Sequence, residues 1–108
     1  MGDVTVKDTF REMTGRFNAE AAKGLDATIQ INLTGDDAGQ YYIIIKDGTL
    51  DVGEGAHPSP RMTMTMAGKD YVDMTRGKLS GRMAVMLGKL KIAGDVGLAL
   101  KLQSLFKL

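Results

Sequence analysis

Gly88-Lys89-Leu90-Lys91-Ile92-Ala93-Gly94-Asp95 is the stretch on which the fold turns, and Val96-Gly97-Leu98-Ala99-Leu100-Lys101-Leu102-Gln103 follows it directly. Leu90 and Ile92 alternate with lysine between two glycines, the mark of a short strand with one face buried. Beyond Gly94 the period changes. Leu98, Leu102 and Leu105 recur at helical spacing, flanked by Ala99 and Phe106, and Asp95 sits where a helix start favours a carboxylate. A strand therefore feeds straight into an amphipathic helix whose apolar stripe has to cover something.

The segments upstream supply what it covers. Met62-Thr63-Met64-Thr65-Met66 alternates strictly and predicts a strand with three methionines on one face. Between it and Leu90 lie two short helices. One surrounds Tyr71, Val72 and Met74; the other is capped by Ser80 and carries Met83, Met86 and Leu87 at i, i+3 and i+4. Towards the N-terminus, Ala27, Ile29, Ile31 and Leu33 alternate with polar residues in a half-buried strand. Tyr41-Tyr42-Ile43-Ile44-Ile45 is apolar at every position, which predicts an inner strand covered on both sides. Asp47-Gly48 is a type I′ hairpin signal, with Leu50 and Val52 returning inward. The prolines Pro58 and Pro60 fall in a loop long enough for a crossover. The chain opens on a helix signalled by Thr5 and Asp8 as an N-cap pair, with Val6, Phe10, Met13 and Phe17 at helical spacing and a stop at Gly24. This order lacks βαβα alternation and defines an α+β fold with a mostly antiparallel sheet.

The 108 residues suffice for one domain, spanning 1–108. Cysteine is absent, which excludes disulfides, zinc–thiolate sites and thiol nucleophiles and suits a cytoplasmic protein. The first residues show no signal-peptide pattern, and no apolar run approaches the ~20 residues of a membrane span. Net charge is +1, but residues 1–60 carry −5 and residues 61–108 carry +6. The basic residues are interleaved with apolar ones, which argues against a nucleic-acid arm and leaves either a solvated face or a surface that meets an anion.

The catalytic inventory is poor. His57 is the one histidine and lies in a loop, so any Ser–His–Asp or Cys–His arrangement would rest on it alone. Asp36-Asp37 lacks the spaced ligands of a calcium loop and reads as a solvated turn. Gly53-Glu54-Gly55 and Gly94-Asp95-Val96-Gly97 carry carboxylates that would repel a phosphate. No cofactor or metal is expected. The unusual feature is methionine: of 8 in the chain, six fall between Met62 and Met86. Flexible thioethers fill irregular cores, and they also make a deformable wall for a variable apolar ligand. With few aromatics the interior is aliphatic, which suits an acyl chain or a sterol more than a planar cofactor.

The tract from Gly88 to Gln103 resembles the end of the sterol carrier protein type 2 domain, a non-specific lipid-transfer family. Met62-Thr63-Met64-Thr65-Met66-Ala67, Asp70-Tyr71 and Thr75-Arg76-Gly77-Lys78-Leu79 match that family in order and spacing, and Ile45-Lys46-Asp47-Gly48 resembles its hairpin. The resemblance implies a five-stranded sheet covered by helices, with an apolar tunnel between them. It implies non-catalytic binding of a fatty acid, acyl-CoA, sterol or phospholipid. Carried over residue by residue, it points to Val85, Met86, Leu87, Ile92, Leu98, Leu102 and Leu105 as tunnel wall, with Ile43 and Ile45 dependent on which strand face turns inward. A cavity in the ~300–1,000 Å³ range of small-molecule sites is then expected between the sheet and the helices at 80–87 and 95–106. Lys78, Arg82, Lys89, Lys91 and Lys101 fall in the same segments, where they would attract an anionic headgroup or an anionic membrane surface. A competing reading makes the chain an accessory domain that presents a lipid-like intermediate to a partner enzyme.

Overall fold

The computed structural model describes residues 5–35, 38–98, 101 and 105. Helix α1 spans Val6–Arg16. The Asp8 N–H donates to Thr5 Oγ1 at 3.2 Å, and the Thr5 N–H donates to Asp8 Oδ2 at 3.1 Å. This reciprocal pair satisfies two orphan donors of the first turn. The backbone N–H bond from Thr5, then its hydroxyl, holds the Asp8 carboxyl below the usual aspartate value. The helix ends at Phe17 rather than running on to Gly24. Asn18 starts turns instead, its Oδ1 accepting from the Ala21 N–H at 3.2 Å, and Gly24 adopts a φ of 78°.

Five strands follow: β1 Asp26–Thr34, β2 Gly39–Lys46, β3 Thr49–Glu54, β4 Met62–Ala67 and β5 Leu90–Gly94. Helices α2 (Gly68–Thr75) and α3 (Gly81–Met86) lie between β4 and β5. The sheet order is β3-β2-β1-β4-β5, with β1 and β4 parallel and the other three pairings antiparallel. This is an α+β fold built on a mixed, mostly antiparallel sheet. At the β2–β3 hairpin Asp47 has φ 44° and Gly48 φ 85°, the two positive angles a type I′ turn requires.

Register settles the faces. Ile29 pairs with Ile43 on one side and Met62 on the other; Ile31 pairs with Tyr41 and Met64. Ala27, Ile29, Ile31, Leu33, Tyr41, Ile43, Ile45, Met62, Met64, Met66 and Leu90 all share one buried face. Helices α1 and α2 pack together over it. The opposite face corrects the expectation that β2 is covered on both sides. Tyr42 and Ile44 are only half-buried, on a face where their cross-strand neighbours are Gln30, Thr28 and Asp51. Part of that face is capped by the 55–60 loop: the His57 N–H donates to Gln30 Oε1 at 2.8 Å, and Gln30 Nε2 donates to the Gly55 carbonyl at 3.0 Å. Strand β3 is the sheet edge, so Leu50 is half-buried and Val52 exposed.

The Gly88–Asp95 tract closes the sheet as its spacing predicts. Leu90 pairs with Met66 and Ile92 with Met64. At Gly94 the φ is 95°, and a Cβ there would lie 2.6 Å from the Arg61 carbonyl oxygen, so only glycine permits this approach of β5 to β4. Asp95 then works as a cap, its Oδ1 accepting from the Leu98 N–H at 3.3 Å while Oδ2 meets Arg61 Nε at 3.0 Å. Val96–Leu98, Lys101 and Leu105 are helical.

Candidate lipid-binding site

An apolar cavity of about 50 Å³ lies between the inner sheet face and the two packed helices. Thr9, Met13 and Arg16 contribute from α1 at i, i+4 and i+7, and Tyr71, Met74 and Thr75 from α2. Its floor is Ile29, Ile31, Ile43 and Met64. Three of the ten lining residues are methionines, so the wall can change shape by rotating unbranched side chains. The polar groups gather on the helix side. Arg16 Nη1 donates to the Thr75 carbonyl at 2.5 Å, tying the end of α1 to the end of α2. Glu12 lies 3.6 Å from Arg16 Nη2 and 3.9 Å from Arg76 Nη2.

Tyr71 stands at the centre of this arrangement. Its ring stacks on Phe10 at 5.3 Å between centroids, and Phe10 stacks in turn on Tyr41 at 4.3 Å. The residue is 3 % exposed, and among the described residues its hydroxyl is the one buried side-chain polar atom without a hydrogen-bond partner. Thr9 Oγ1 donates to the Val6 carbonyl at 2.6 Å, and the Thr9 hydroxyl lies close enough to Tyr71 to oppose the rise in its titration. Burial pushes the phenol up to about 12, so it stays protonated and able to donate.

The sequence candidates are distributed unevenly around this cavity. Ile43 lines it, and Ile45 lies fully buried on the same strand face without reaching it. Ile92 is half-buried against the core, and Leu98 is a core residue. Leu105 is buried and borders a second, open hollow of about 270 Å³ with Ala21, Lys23, Gly24, Leu25 and Lys101. Leu102 lies outside the described residues, as do Leu100, Ala99, Phe106 and Asp36-Asp37. Val85, Met86 and Leu87 do not line the cavity; they are 48, 73 and 57 % exposed. The reason is local. Ser80 caps α3 by accepting from the Met83 N–H at 3.1 Å, and in that register Ala84 is the buried residue of a helix that packs on β5. The Met83, Met86, Leu87 stripe consequently faces solvent. The cavity is formed by α1 and α2, not by the helix at 80–87, and is smaller than a ligand-sized site.

Of the ten lining residues the sequence candidates include Ile43 alone; the α1 and α2 residues and the floor residues Ile29, Ile31 and Met64 were missed as cavity wall. The i, i+4, i+7 spacing of Thr9, Met13 and Arg16 was the available signal, obscured because two of the three are polar. His57 has a structural place: its ring meets Tyr42 edge-on at 5.5 Å, and Nδ1 accepts from the Ser59 N–H at 3.2 Å. Among the described residues no group of three or more His, Cys, Asp or Glu is placed to hold a metal, and no helix is long and apolar enough to cross a membrane.

The exposed α3 stripe has charged surroundings. From Met74 to Gly94 the chain holds Arg76, Lys78, Arg82, Lys89 and Lys91 and no carboxylate. Lys78, Arg82 and Lys91 are exposed in the same stretch of chain as the exposed Met83, Val85, Met86 and Leu87. Asp70 lies 3.9 Å from Lys89.

The described residues build a five-stranded α+β sheet with one helix-covered apolar face and a thioether-walled cavity between that face and the helices. The chain belongs to the SCP-2 sterol transfer family, whose model matches residues 10–107. Hydroxysteroid dehydrogenase-like protein 2 of Xenopus tropicalis is 38% identical over 102 residues, covering 93% of this chain and 24% of that protein. The chain thus spans about a quarter of the length of that relative. Palmitated SCP2L2 from Aedes aegypti superposes with a TM-score of 0.78 at 21% identity, covering 95% of both chains. The sec-alkyl sulfatase PisA1 double mutant S233Y F250G gives a TM-score of 0.85 at 20% identity, over 95% of this chain and 16% of that one. These two likenesses describe the fold.

Proposed function

We propose that this chain is a non-catalytic lipid-binding module that takes the acyl chain of a fatty acid or acyl-CoA, or a sterol, between the inner sheet face and helices α1 and α2. The observation that carries the reading is the cavity itself, apolar on its floor and walled by Met13, Met64 and Met74. At about 50 Å³ it seats part of a ligand, and a long chain enters as the methionines rotate and α1 and α2 ease off the sheet. Membership of a sterol transfer family supports it. Exchange with membranes follows from α3. Its exposed Met83, Val85, Met86 and Leu87 enter the headgroup region of an anionic bilayer, while Lys78, Arg82, Lys89 and Lys91 meet the lipid charge. Native mass spectrometry of protein purified from cells tests the binding claim: a retained lipid mass supports it, and apo protein that stays apo after incubation with fatty acid, acyl-CoA and sterol counts against it.

A second reading has its own support. The same fold forms 16% of an alkylsulfatase chain, and a related sequence forms 24% of a dehydrogenase-like protein. In that reading the module holds a lipid-like substrate for an enzyme and supplies no reacting group itself.

A further inference from the structure

We propose that Met83 and Met86 form a reversible oxidation site, at which hydrogen peroxide turns the apolar stripe of α3 polar and releases the module from an anionic bilayer; this rests on the membrane-docking reading of α3. Seven methionines lie among the described residues, and the fold sorts them into two groups. Met13, Met62, Met64, Met66 and Met74 are at most 9 % exposed, and Met13, Met64 and Met74 wall the cavity. Met83 and Met86, about one turn apart on α3, are 46 and 73 % exposed. A peroxide dissolved in water reaches these two side chains directly, and the other five only when the core opens.

The chemistry is an oxygen transfer. A thioether lone pair attacks one peroxide oxygen, so that an S–O bond forms as the O–O bond breaks. The departing hydroxide takes the proton of the transferred oxygen and leaves as water. Sulfur loses two electrons and the peroxide gains them. The sulfoxide is polar, and it no longer favours the acyl boundary of a bilayer. The helix does not depend on the thioethers for its shape. The Met83 N–H donates to Ser80 Oγ at 3.1 Å, the Met83 carbonyl accepts from the Leu87 N–H at 2.9 Å, and Ala84 is the side chain α3 buries. The charges select an anionic bilayer as the surface involved: Lys78, Arg82 and Lys91 are exposed in this stretch, and no carboxylate occurs from Met74 to Gly94. Because the cavity methionines stay reduced, oxidation separates two activities. The module keeps its lipid and stops exchanging it with membranes.

The test treats the full chain and a Met83→Leu/Met86→Leu variant with limiting hydrogen peroxide and maps the sulfoxides by peptide mass spectrometry. A fluorescent long-chain fatty acid then reports binding by titration, and transfer to vesicles containing phosphatidylserine. Met83 and Met86 should gain oxygen ahead of the five buried methionines. Transfer by the oxidised parent should slow by about tenfold, the scale of one methionine side chain's burial, with fatty-acid affinity and melting temperature unchanged. Methionine sulfoxide reductases A and B, which between them reduce both sulfoxide epimers, should restore the rate. The double variant keeps the stripe apolar, so it should transfer as the reduced parent does and ignore peroxide. Sulfoxides forming first at the buried methionines, an oxidised parent that transfers at the reduced rate, or a double variant slowed as much as the parent would each overturn the site. If Met86→Glu slows transfer in the same assay, the docking reading survives that result. Transfer that ignores both vesicle charge and Met86→Glu would defeat the docking reading and this inference with it.

Discussion

Tyr71 shows how one side chain links stability to pH in this fold. Unfolded, a tyrosine titrates near 10; folded, Tyr71 keeps its proton to about 12 because burial disfavours the phenolate, a tendency that Tyr41 reinforces and Thr9 and Arg16 oppose. Between those values the folded state binds more protons than the unfolded one, so stability falls as pH rises from 10 towards 12. Urea denaturation at pH 8, 10 and 11 should show this decline in the parent and a shallower one in Tyr71→Phe; identical slopes would contradict the assignment. The residue's burial was legible in the sequence, since Tyr71 and Met74 share a helical face. Its missing partner was not. That depends on which groups α1 and the sheet bring to the phenol when they pack over α2, which has no sequence signal. Ile43 is a different case: Ile43 and Ile44 are equally apolar, and only the pairing of Ile43 with Ile29 selects the inward one.

Elements were legible in proportion to the strength of their period and their punctuation. The alternations at Ala27–Leu33 and Met62–Met66, the Asp47-Gly48 turn and the Thr5–Asp8 cap all appear as their chemistry predicts. Helix α3 shows where this fails. An apolar stripe at i, i+3, i+4 reads as a buried face, but in six residues the cap register decides which side meets the sheet, and Ala84 takes that place. The outward stripe makes a separable prediction. Met86→Glu, at a residue 73 % exposed, should change stability by less than about 0.5 kcal/mol. The same change should slow lipid transfer between anionic vesicles, and raised salt should slow it further as screening shortens to ~10 Å or less. Transfer rates in a fluorescence assay that ignore Met86→Glu, salt and vesicle charge alike would remove α3 from membrane docking.

At the scale of the whole molecule, the sheet and its helices divide the work. The polar outer face needs only a loop cap at Gln30, while α1 and α2 cover the inner face and leave a gap between Met13, Met64 and Met74. The acidic first half supplies α1 and the strands under it; the basic second half supplies α3 and its lysines. If the gap is where lipid enters, filling it should block binding without unfolding the sheet. The direct measurement is a titration of the full chain and of Met74→Trp with a fluorescent long-chain fatty acid, with thermal melts alongside. Saturable binding by the parent and loss of it in a Met74→Trp protein that still melts cooperatively is the predicted result; undiminished binding by a folded Met74→Trp would contradict the placement of the ligand between the sheet and helices α1 and α2.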